Sequence, residues 1–379
     1  MKKIMIVFGT RPEAIKLAPV IQALQKEKVF KTIVCSTGQH REMLKQVLDI
    51  FDLKVDDDLD LMKKNQTLFD ITSNSLIKLK TSFEKYKPEL LIVQGDTTTA
   101  FTSALAAFYK QIKIAHVEAG LRSYDVFHPY PEEANRRFIS VISDFNFVPT
   151  DDAEKNLLKE GFQPETIYVT GNTVVDALLQ IKLKFGKPKL VSQIKSGLES
   201  KYGEDLFKKK FILITLHRRE KFGDEIKELL RTLEQLTKKY PEYNFVYPVH
   251  LNPNVVKPVK SILGKTKNFI LTEPLDYLNF LYLMSKCHFI MSDSGGVQEE
   301  CFVFRKPIIV MRDVTERNEA IKAGYAFLTG SNKKKILSRF NEIDSKLKNG
   351  FNFFKTENPY GDGKASLRVI KILKQKMLN

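Results

Sequence analysis

The chain has 379 residues, 43% hydrophobic and 28% charged, a balance that suits a globular protein with room for two domains, each with its own core. The formal net charge is +16, yet the lysines are spread over most of the helical stretches and no helix-turn-helix, zinc-finger or RNA-recognition pattern occurs, so a solvated basic surface is expected and no nucleic-acid partner. The three cysteines, Cys35, Cys287 and Cys301, are odd in number and lack metal-ligand spacing, and no stretch approaches the ~18 apolar residues of a membrane span, so the expectation is a cytoplasmic protein with no membrane partner.

From the first residues, short β-branched runs alternate with longer helical patterns. The start, "MKKIMIVFG", is basic, but its apolar run is only about strand length, too short for a signal peptide. Strands are predicted at 4–8, 32–36, 90–93, 112–117, 145–148 and 167–170, with helices such as 13–26, 68–86 and 97–109 between them. The pattern lapses between residues 184 and 210, where the sequence is polar and carries Gly186, Pro188, Gly197 and Gly203. It resumes with strands at 211–216, 245–249, 269–272, 288–291, 307–311 and 326–329. Continuous apolar strands separated by helices indicate parallel sheets covered on both faces. The expected fold is α/β, with two doubly wound Rossmann-like halves facing a cleft and a crossing near 172–205.

The polar motifs fall just after strand C-termini, where such sheets bind ligands. In "FGTRPEAIKLAP" (8–19), Gly9 permits a tight turn, Pro12 suits the first helical position, and Glu13 favours the positive end of the helix dipole. Arg11 and Lys16 are placed to hold an anion from that turn; a well-capped helix with two solvated cations is the plainer alternative. No GxGxxG occurs, which argues against a nicotinamide or flavin, and no cofactor is expected.

Asp96 ends a strand in "IVQGDTTTA" and Glu118 ends another in "IAHVEAGLRS". Asp96 reads equally well as the N-cap of the next helix. Glu118 does not, because Ala119, Gly120 and Leu121 follow it rather than a helical start. In "HPYPEEANRR", Pro131 can open a helix with Glu132 and Glu133 in its first turn and Arg136 four residues after Glu132; on a surface this would be capping plus an exposed ion pair. Three acid-bearing loops on one sheet edge point to a carboxylate cluster, of the kind that proton abstraction from carbon requires.

The second half supplies positive and neutral groups. "ITLHRREKFGD" places His217, Arg218 and Arg219 at a strand end, and "YPVHLNPN" adds His250. No His, Cys and Asp set has metal spacing, so no protein-bound metal is expected. In "SDSGGVQEECFVF" (292–304), Ser294, Gly295 and Gly296 offer N–H donors at a helix start, which suits a diphosphate. If Val297, Cys301 and Phe304 form the apolar face, Glu300 stands beside it, where a carboxylate can accept hydrogen bonds from ribose hydroxyls. This combination reads as a nucleotide-sugar site.

Together the motifs resemble the non-hydrolysing, bacterial-type UDP-N-acetylglucosamine 2-epimerases nearly end to end. The matching pieces include "FGTRPEAIKLAP", "GQHREML", "GDTTTA", "HVEAGLRS", "PEEANRR", "TGNTVVDAL", "HRRE", "YPVHLNPNV", "SDSGGVQEE", "RDVTERNEA" and "NPYGDGKA". The resemblance implies the GT-B architecture, with 1–178 plus 364–379 as the N-terminal domain carrying the catalytic carboxylates and 179–363 as the C-terminal UDP-binding domain. The C-terminal helix would return to the first domain. It also implies interconversion of UDP-N-acetylglucosamine and UDP-N-acetylmannosamine by elimination of UDP, through enzyme-bound 2-acetamidoglucal, with the product supplied to cell-surface polysaccharide. Asp96, Glu118, Glu132 and His217 would be catalytic. Arg11, Lys16, Arg136, His217, Ser294, Gly295, Gly296, Glu300 and Arg317 would bind UDP or its phosphates. Homodimers are usual in the family. Some bacterial members also bind a second UDP-N-acetylglucosamine as activator, and the positions implied for that site are Gln39, Glu42, Gln66, Arg218 and His250. Glu42 stands where the family pattern has Gln, and Asn65 where it has Arg. "EECFVFRKP" and "TERNEA" likewise depart from "EEAPSLGKP" and "TERPEA". A hydrolysing 2-epimerase and a GT-B glycosyltransferase are the alternatives.

Overall fold

The computed structural model describes residues 1–38, 41–61, 66–216, 224–249, 253–315 and 317–378, the side chains of 41–43, 224, 225 and 253–255 excepted. Two parallel sheets organise them. The first contains β1 (Lys2–Phe8), β2 (Phe30–Ser36), β3 (Asp57–Asp58), β4 (Leu90–Gln94), β5 (Lys113–Val117), β6 (Phe145–Val148) and β7 (Ile167–Val169), in the order β3-β2-β1-β4-β5-β6-β7. The second contains β8 (Phe211–Thr215), β9 (Asn244–Pro248), β10 (Phe269–Thr272), β11 (Ile290–Ser292), β12 (Ile308–Val310) and β13 (Ala326–Leu328), in the order β10-β9-β8-β11-β12-β13. Both are doubly wound, and in both the order reverses beside the first strand, at β1/β4 and at β8/β11. A sheet of this topology leaves a crevice at the strand C-termini there, so binding residues are expected after β1 and β4 in the first sheet and after β8 and β11 in the second.

Burial explains why these runs are strands. Ile4, Met5, Ile6, Val7 and Phe8 are all buried, as are Leu90 to Val93, because helices cover both faces and no side of the strand meets water. Packing divides the chain into two compact units, Met1–Ala177 with Tyr360–Asn379, and Leu178–Pro359. The return of the chain end has a specific fastening. Asp176 is buried and accepts hydrogen bonds from the Ala365 N–H (3.2 Å), the Ser366 N–H (2.9 Å) and the Ser366 hydroxyl (2.5 Å), which caps the helix Ala365–Leu378. That helix packs against Arg11–Gln25, with Lys374 3.0 Å from Glu27. Burial pushes the Asp176 carboxyl up in pKa, against the pull of those three donors.

Two sequence expectations need correction. The polar stretch 184–210 is largely helical: Thr173–Lys184 is followed by Pro188–Tyr202, which starts with proline in its first turn and stops at Gly203. Only Ile194 and Leu198 of the second helix are buried, so its apolar signal was too thin to read. The strand Asp57–Asp58 also escaped, since two acids carry no β signal; pairing with Cys35 and Ser36 makes it one. Among the described residues no helix is long and apolar enough to cross a membrane.

Candidate active site

The first turn is built to be rigid. After β1, Gly9 lies where a Cβ would collide with the hydroxyls of Thr37 and Thr99, so no larger residue fits. Glu13 then reaches back: its Oε2 accepts from the Gly9 N–H (3.0 Å) and the Thr10 N–H (2.7 Å), and its Oε1 accepts from the Thr97 hydroxyl (2.6 Å). Glu13 is therefore more than a dipole-compensating acid. It ties the turn after β1 to the turn after β4, across the point where the strand order reverses. Burial raises its pKa, with Thr97 first among the hydrogen bonds opposing that shift. Arg11 opens the helix and Pro12 follows it.

Asp96 and Glu118 end β4 and β5 as expected, but their environments differ from the plain readings. The cap of the helix Thr98–Tyr109 is Thr97, which accepts from the Ala100 N–H at 3.0 Å. Asp96 is left to pair with Arg136, Oδ2 to Nη2 at 2.5 Å, and its carbonyl accepts from Asn135 at 2.9 Å. Arg136 is buried, not a surface cation, and Glu133 is a further carboxylate neighbour at 3.3 Å. Glu133, fully buried, also accepts from the Ser123 N–H (3.0 Å) and Arg137 (2.9 Å), anchoring the loop that leads from Glu118 to Glu132. Glu132 is the first residue of the helix Glu132–Ile142.

Glu118 has a φ of +67°, a left-handed conformation that costs a side-chain-bearing residue about 1–2 kcal/mol. Gly120, at φ +84°, completes the reversal; a Cβ there would run into the backbone of Ala153. The turn aims the Glu118 carboxylate at Lys16, whose Nζ lies 2.5 Å from Oε1, with both side chains largely buried. Gln94 donates to Oε2 and Asn172 donates to Oε1 at 3.2 Å. The structure thus brings Lys16 and Glu118 together, and Asp96 and Arg136 together, each pair at the C-terminal edge of the first sheet.

Sequence reasoning did not single out Gln94, Asn172 or His116. Gln94 carries a faint signal, a polar residue closing an otherwise apolar strand. His116 is fully buried, with Nε2 2.7 Å from the Gly95 carbonyl; burial, aided by the charges of Arg122 and Arg136, lowers its pKa to about 4. The ring is neutral at pH 7, and because a carbonyl only accepts, Nε2 carries the proton.

In the second unit, Ser292 at the end of β11 shares a 2.5 Å hydrogen bond with Thr215 at the end of β8, and its Oγ accepts from the Ser294 N–H at 3.0 Å. This holds the start of the helix Gly295–Val303 at the order-reversal edge. A Cβ placed on Gly296 would meet nothing within 4 Å, so the space over the first helical turn is open. The two glutamates that follow are separated in role. Glu299 is buried against Arg317, which donates to it from Nε, while Gln298 accepts from Thr315 at 2.9 Å. Glu300 is half-buried and accepts from the Tyr277 hydroxyl at 2.8 Å. Val297, Cys301 and Phe304 are buried, as the predicted apolar face requires. Arg317, expected to bind phosphate, therefore stands beside that helix through its ion pair with Glu299. Most of the net charge of +16 belongs to this second unit.

His217, Arg218, Gln39, Asn65 and His250 lie outside the described residues. So does the side chain of Glu42, on the helix Arg41–Phe51; Gln66 directly precedes Thr67, the cap of the helix Leu68–Tyr86. Among the described residues no cluster of three or more His, Cys, Asp or Glu could hold a metal ion.

Two doubly wound parallel sheets in one chain, with charged pairs and a glycine helix start at their order-reversal edges, define an α/β protein of the GT-B type. The family model for UDP-N-acetylglucosamine 2-epimerase matches residues 22–374. The UDP-N-acetylglucosamine 2-epimerase of Neisseria meningitidis serogroup A is 48% identical over 371 residues, which is 98% of this chain and 99% of that protein. The enzyme of the same name from Campylobacter jejuni is 48% identical over 376 residues, 98% of this chain and 97% of its own. A crystal structure of the Neisseria meningitidis UDP-GlcNAc 2-epimerase bound to UDP-GlcNAc is 47% identical, covers 98% of this chain and 100% of that one, and has a TM-score of 0.92. The chain belongs to the UDP-N-acetylglucosamine 2-epimerase family.

Proposed function

We propose that the protein is the non-hydrolysing type of UDP-N-acetylglucosamine 2-epimerase, interconverting UDP-GlcNAc and UDP-ManNAc. The observation that carries this reading is the Glu118 carboxylate, buried at the edge of the first sheet between Lys16, Gln94 and Asn172. A site acid removes the proton from C2 while the C1–O bond to UDP breaks, and the electron pair of the C–H bond forms the C1=C2 bond of 2-acetamidoglucal. Re-addition reverses these changes with one difference: an oxygen of UDP attacks C1 on the face it left, and C2 receives a proton on the face opposite the one that lost it. Asp96, Glu118, Glu132 and His217 are the groups assigned to proton transfer. Arg11, Lys16, Arg136, His217, Ser294, Gly295, Gly296, Glu300 and Arg317 are assigned to UDP and its phosphates. Cations and N–H donors of this kind suit a departing diphosphate, because preorganised donors stabilise the charge as it develops. The N-terminal unit would carry the carboxylates and the C-terminal unit would hold UDP. A cytoplasmic homodimer supplying ManNAc for cell-surface polysaccharide completes the reading, and a sedimentation mass of one chain would remove the dimer from it.

NMR of the protein with UDP-GlcNAc alone in D₂O tests the reaction. The expected result is a mixture of two UDP-sugars with deuterium at C2. Free N-acetylmannosamine and UDP would indicate the hydrolysing type instead, and an unchanged substrate would remove the epimerase reading.

Glu300 gives a second test. If it accepts hydrogen bonds from the ribose diol, Glu300→Gln is expected to weaken UDP and UDP-GlcNAc binding together by about tenfold or more, the equivalent of losing a charge-assisted hydrogen bond. If Glu300 serves only its bond to Tyr277, calorimetric titration will show unchanged affinity for UDP and a lowered melting temperature.

A further inference from the structure

Asn172 sits just past β7, before the helix Thr173–Lys184, and is 3% exposed. Three of its hydrogen bonds run in different directions. Nδ2 donates to Glu118 Oε1 at 3.2 Å, Oδ1 accepts from the Val174 N–H at 3.0 Å, and its backbone N–H donates to the Tyr360 carbonyl at 2.7 Å. Tyr360 begins the stretch that carries the chain end back onto the first unit. The contact there is close: a Cβ on Gly171 would lie 3.4 Å from the Tyr360 carbonyl oxygen and 3.5 Å from Gly361 Cα. Arg368, on the returning helix, donates to the Thr170 carbonyl at 3.1 Å and pairs with Asp362 at 2.8 Å. One residue therefore links the returning C-terminal segment to the carboxylate at the opposite side of the turn.

We infer that Asn172 is a positioning residue for Glu118, and that the docked C-terminal segment, through the Tyr360 carbonyl, sets where Asn172 holds that carboxylate. The inference rests on the reading of Glu118 as a site acid. Its physical ground is the left-handed backbone at φ +67°, which persists only where surrounding contacts over-determine it. Lys16 supplies attraction with little directional demand, since an ammonium presents three rotatable donors. The planar amides of Gln94 and Asn172 fix the plane of the carboxylate, one on each oxygen. Every one of these donors favours the carboxylate form over the acid. Lys16 faces Glu118 from the first helix, and His116, two residues back on β5, feels its charge.

Asn172→Asp separates positioning from simple support. The aspartate keeps an oxygen for the Val174 N–H and the backbone bond to Tyr360, but replaces the donor to Glu118 with a like charge. The expected result is a kcat about 10–100-fold lower, KM within about threefold, and an acid limb of the pH–kcat profile moved up by about one pH unit or more. The melting temperature is expected to fall as well, because a like charge is buried there, so kcat is measured well below it and Asn172→Ala supplies the uncharged comparison. Asn172→Ala, which removes the donor without adding charge, should lower kcat by about tenfold and move the limb the same way. Arg368→Ala, remote from the carboxylate, should move it less but in the same direction. A Glu118→Gln control distinguishes the positioning role from the role of the acid itself. If that variant is inactive while the limb and kcat of Asn172→Asp are unmoved, the positioning role is wrong and the site reading stands. Full activity in Glu118→Gln overturns both.

Discussion

Glu118→Gln is expected to lower turnover by about 10²–10⁴-fold, the usual size of a general acid–base contribution, while UDP still binds with affinity near that of the parent. The amide has almost the same shape and keeps an oxygen, so the turn at φ +67° can survive. What disappears is the negative charge that pairs with Lys16 at 2.5 Å and any capacity to accept a proton from carbon. UDP affinity should be spared because the groups assigned to UDP lie mostly in the second unit, around Ser294 and Glu300. Measurement of kcat by NMR and of UDP affinity by calorimetry distinguishes the alternatives. A loss of only tens of percent would make Glu118 a structural carboxylate that holds Lys16, Gln94 and Asn172 together. A parallel loss of UDP affinity would mean that the pairing with Glu118 is what positions Lys16 for the diphosphate.

The second large effect is on stability against pH and comes from His116. Its pKa in the fold is about 4, against an ordinary value of 6.5, so folding favours the neutral ring. Below pH 6.5 the unfolded chain takes up a proton that the folded chain refuses. Stability from this group is therefore fully present above pH 6.5 and is lost as pH falls toward 4. Across that window the loss is about 3 kcal/mol, since each tenfold difference in proton affinity between the two states is worth about 1.4 kcal/mol. Between pH 7 and 5 the parent is expected to lose about 2 kcal/mol, followed by urea unfolding with circular dichroism. His116→Gln, which can still donate to the Gly95 carbonyl, should show a shallower dependence over the same interval. Equal slopes in the two proteins would place the acid sensitivity elsewhere. The consequence reaches the site, because the Gly95 carbonyl that His116 holds belongs to the turn carrying Asp96.

Much of the fold was legible because burial on both faces leaves a plain trace. A strand such as Ile290–Ser292, or the run from Ile4 to Phe8, has no polar side to show, and alternation of such runs with helices admits few architectures. The helix at Pro188–Tyr202 was missed for the converse reason: with two buried residues it contributes little to any core, and its proline start and glycine stop were the only marks. The C-terminal return came from family resemblance, and the physical device behind it, Asp176 capping a helix that begins at Ala365, could not be seen in spacing. Those residues are 189 positions apart.

The candidate site divides in the same way. Local chemistry of the chain is enough to place Gly9, Asp96, Glu118 and Ser294 at strand ends, because a turn requirement, an acid after an apolar run and a glycine helix start are written within a few residues. It also sufficed to identify Glu118 as an acid without a capping duty, since Ala119 and Gly120 cannot begin a helix in that turn. What sequence alone could not assign was which charges meet. Lys16 could have been solvated, Arg136 could have paired with Glu132 on an exposed face, and Asp96 could have capped its helix. The tertiary structure gives Lys16 to Glu118, Arg136 to Asp96 and Glu133, and the cap to Thr97. Likewise it gives Glu299 to Arg317 and leaves Glu300 beside Tyr277, a choice invisible in two adjacent glutamates. The reason is physical: propensity and burial act over a few residues along the chain, whereas pairing of charged groups depends on which strand ends the sheet order brings side by side. That order, with β4 laid against β1 and β11 against β8, exists only once the chain has folded.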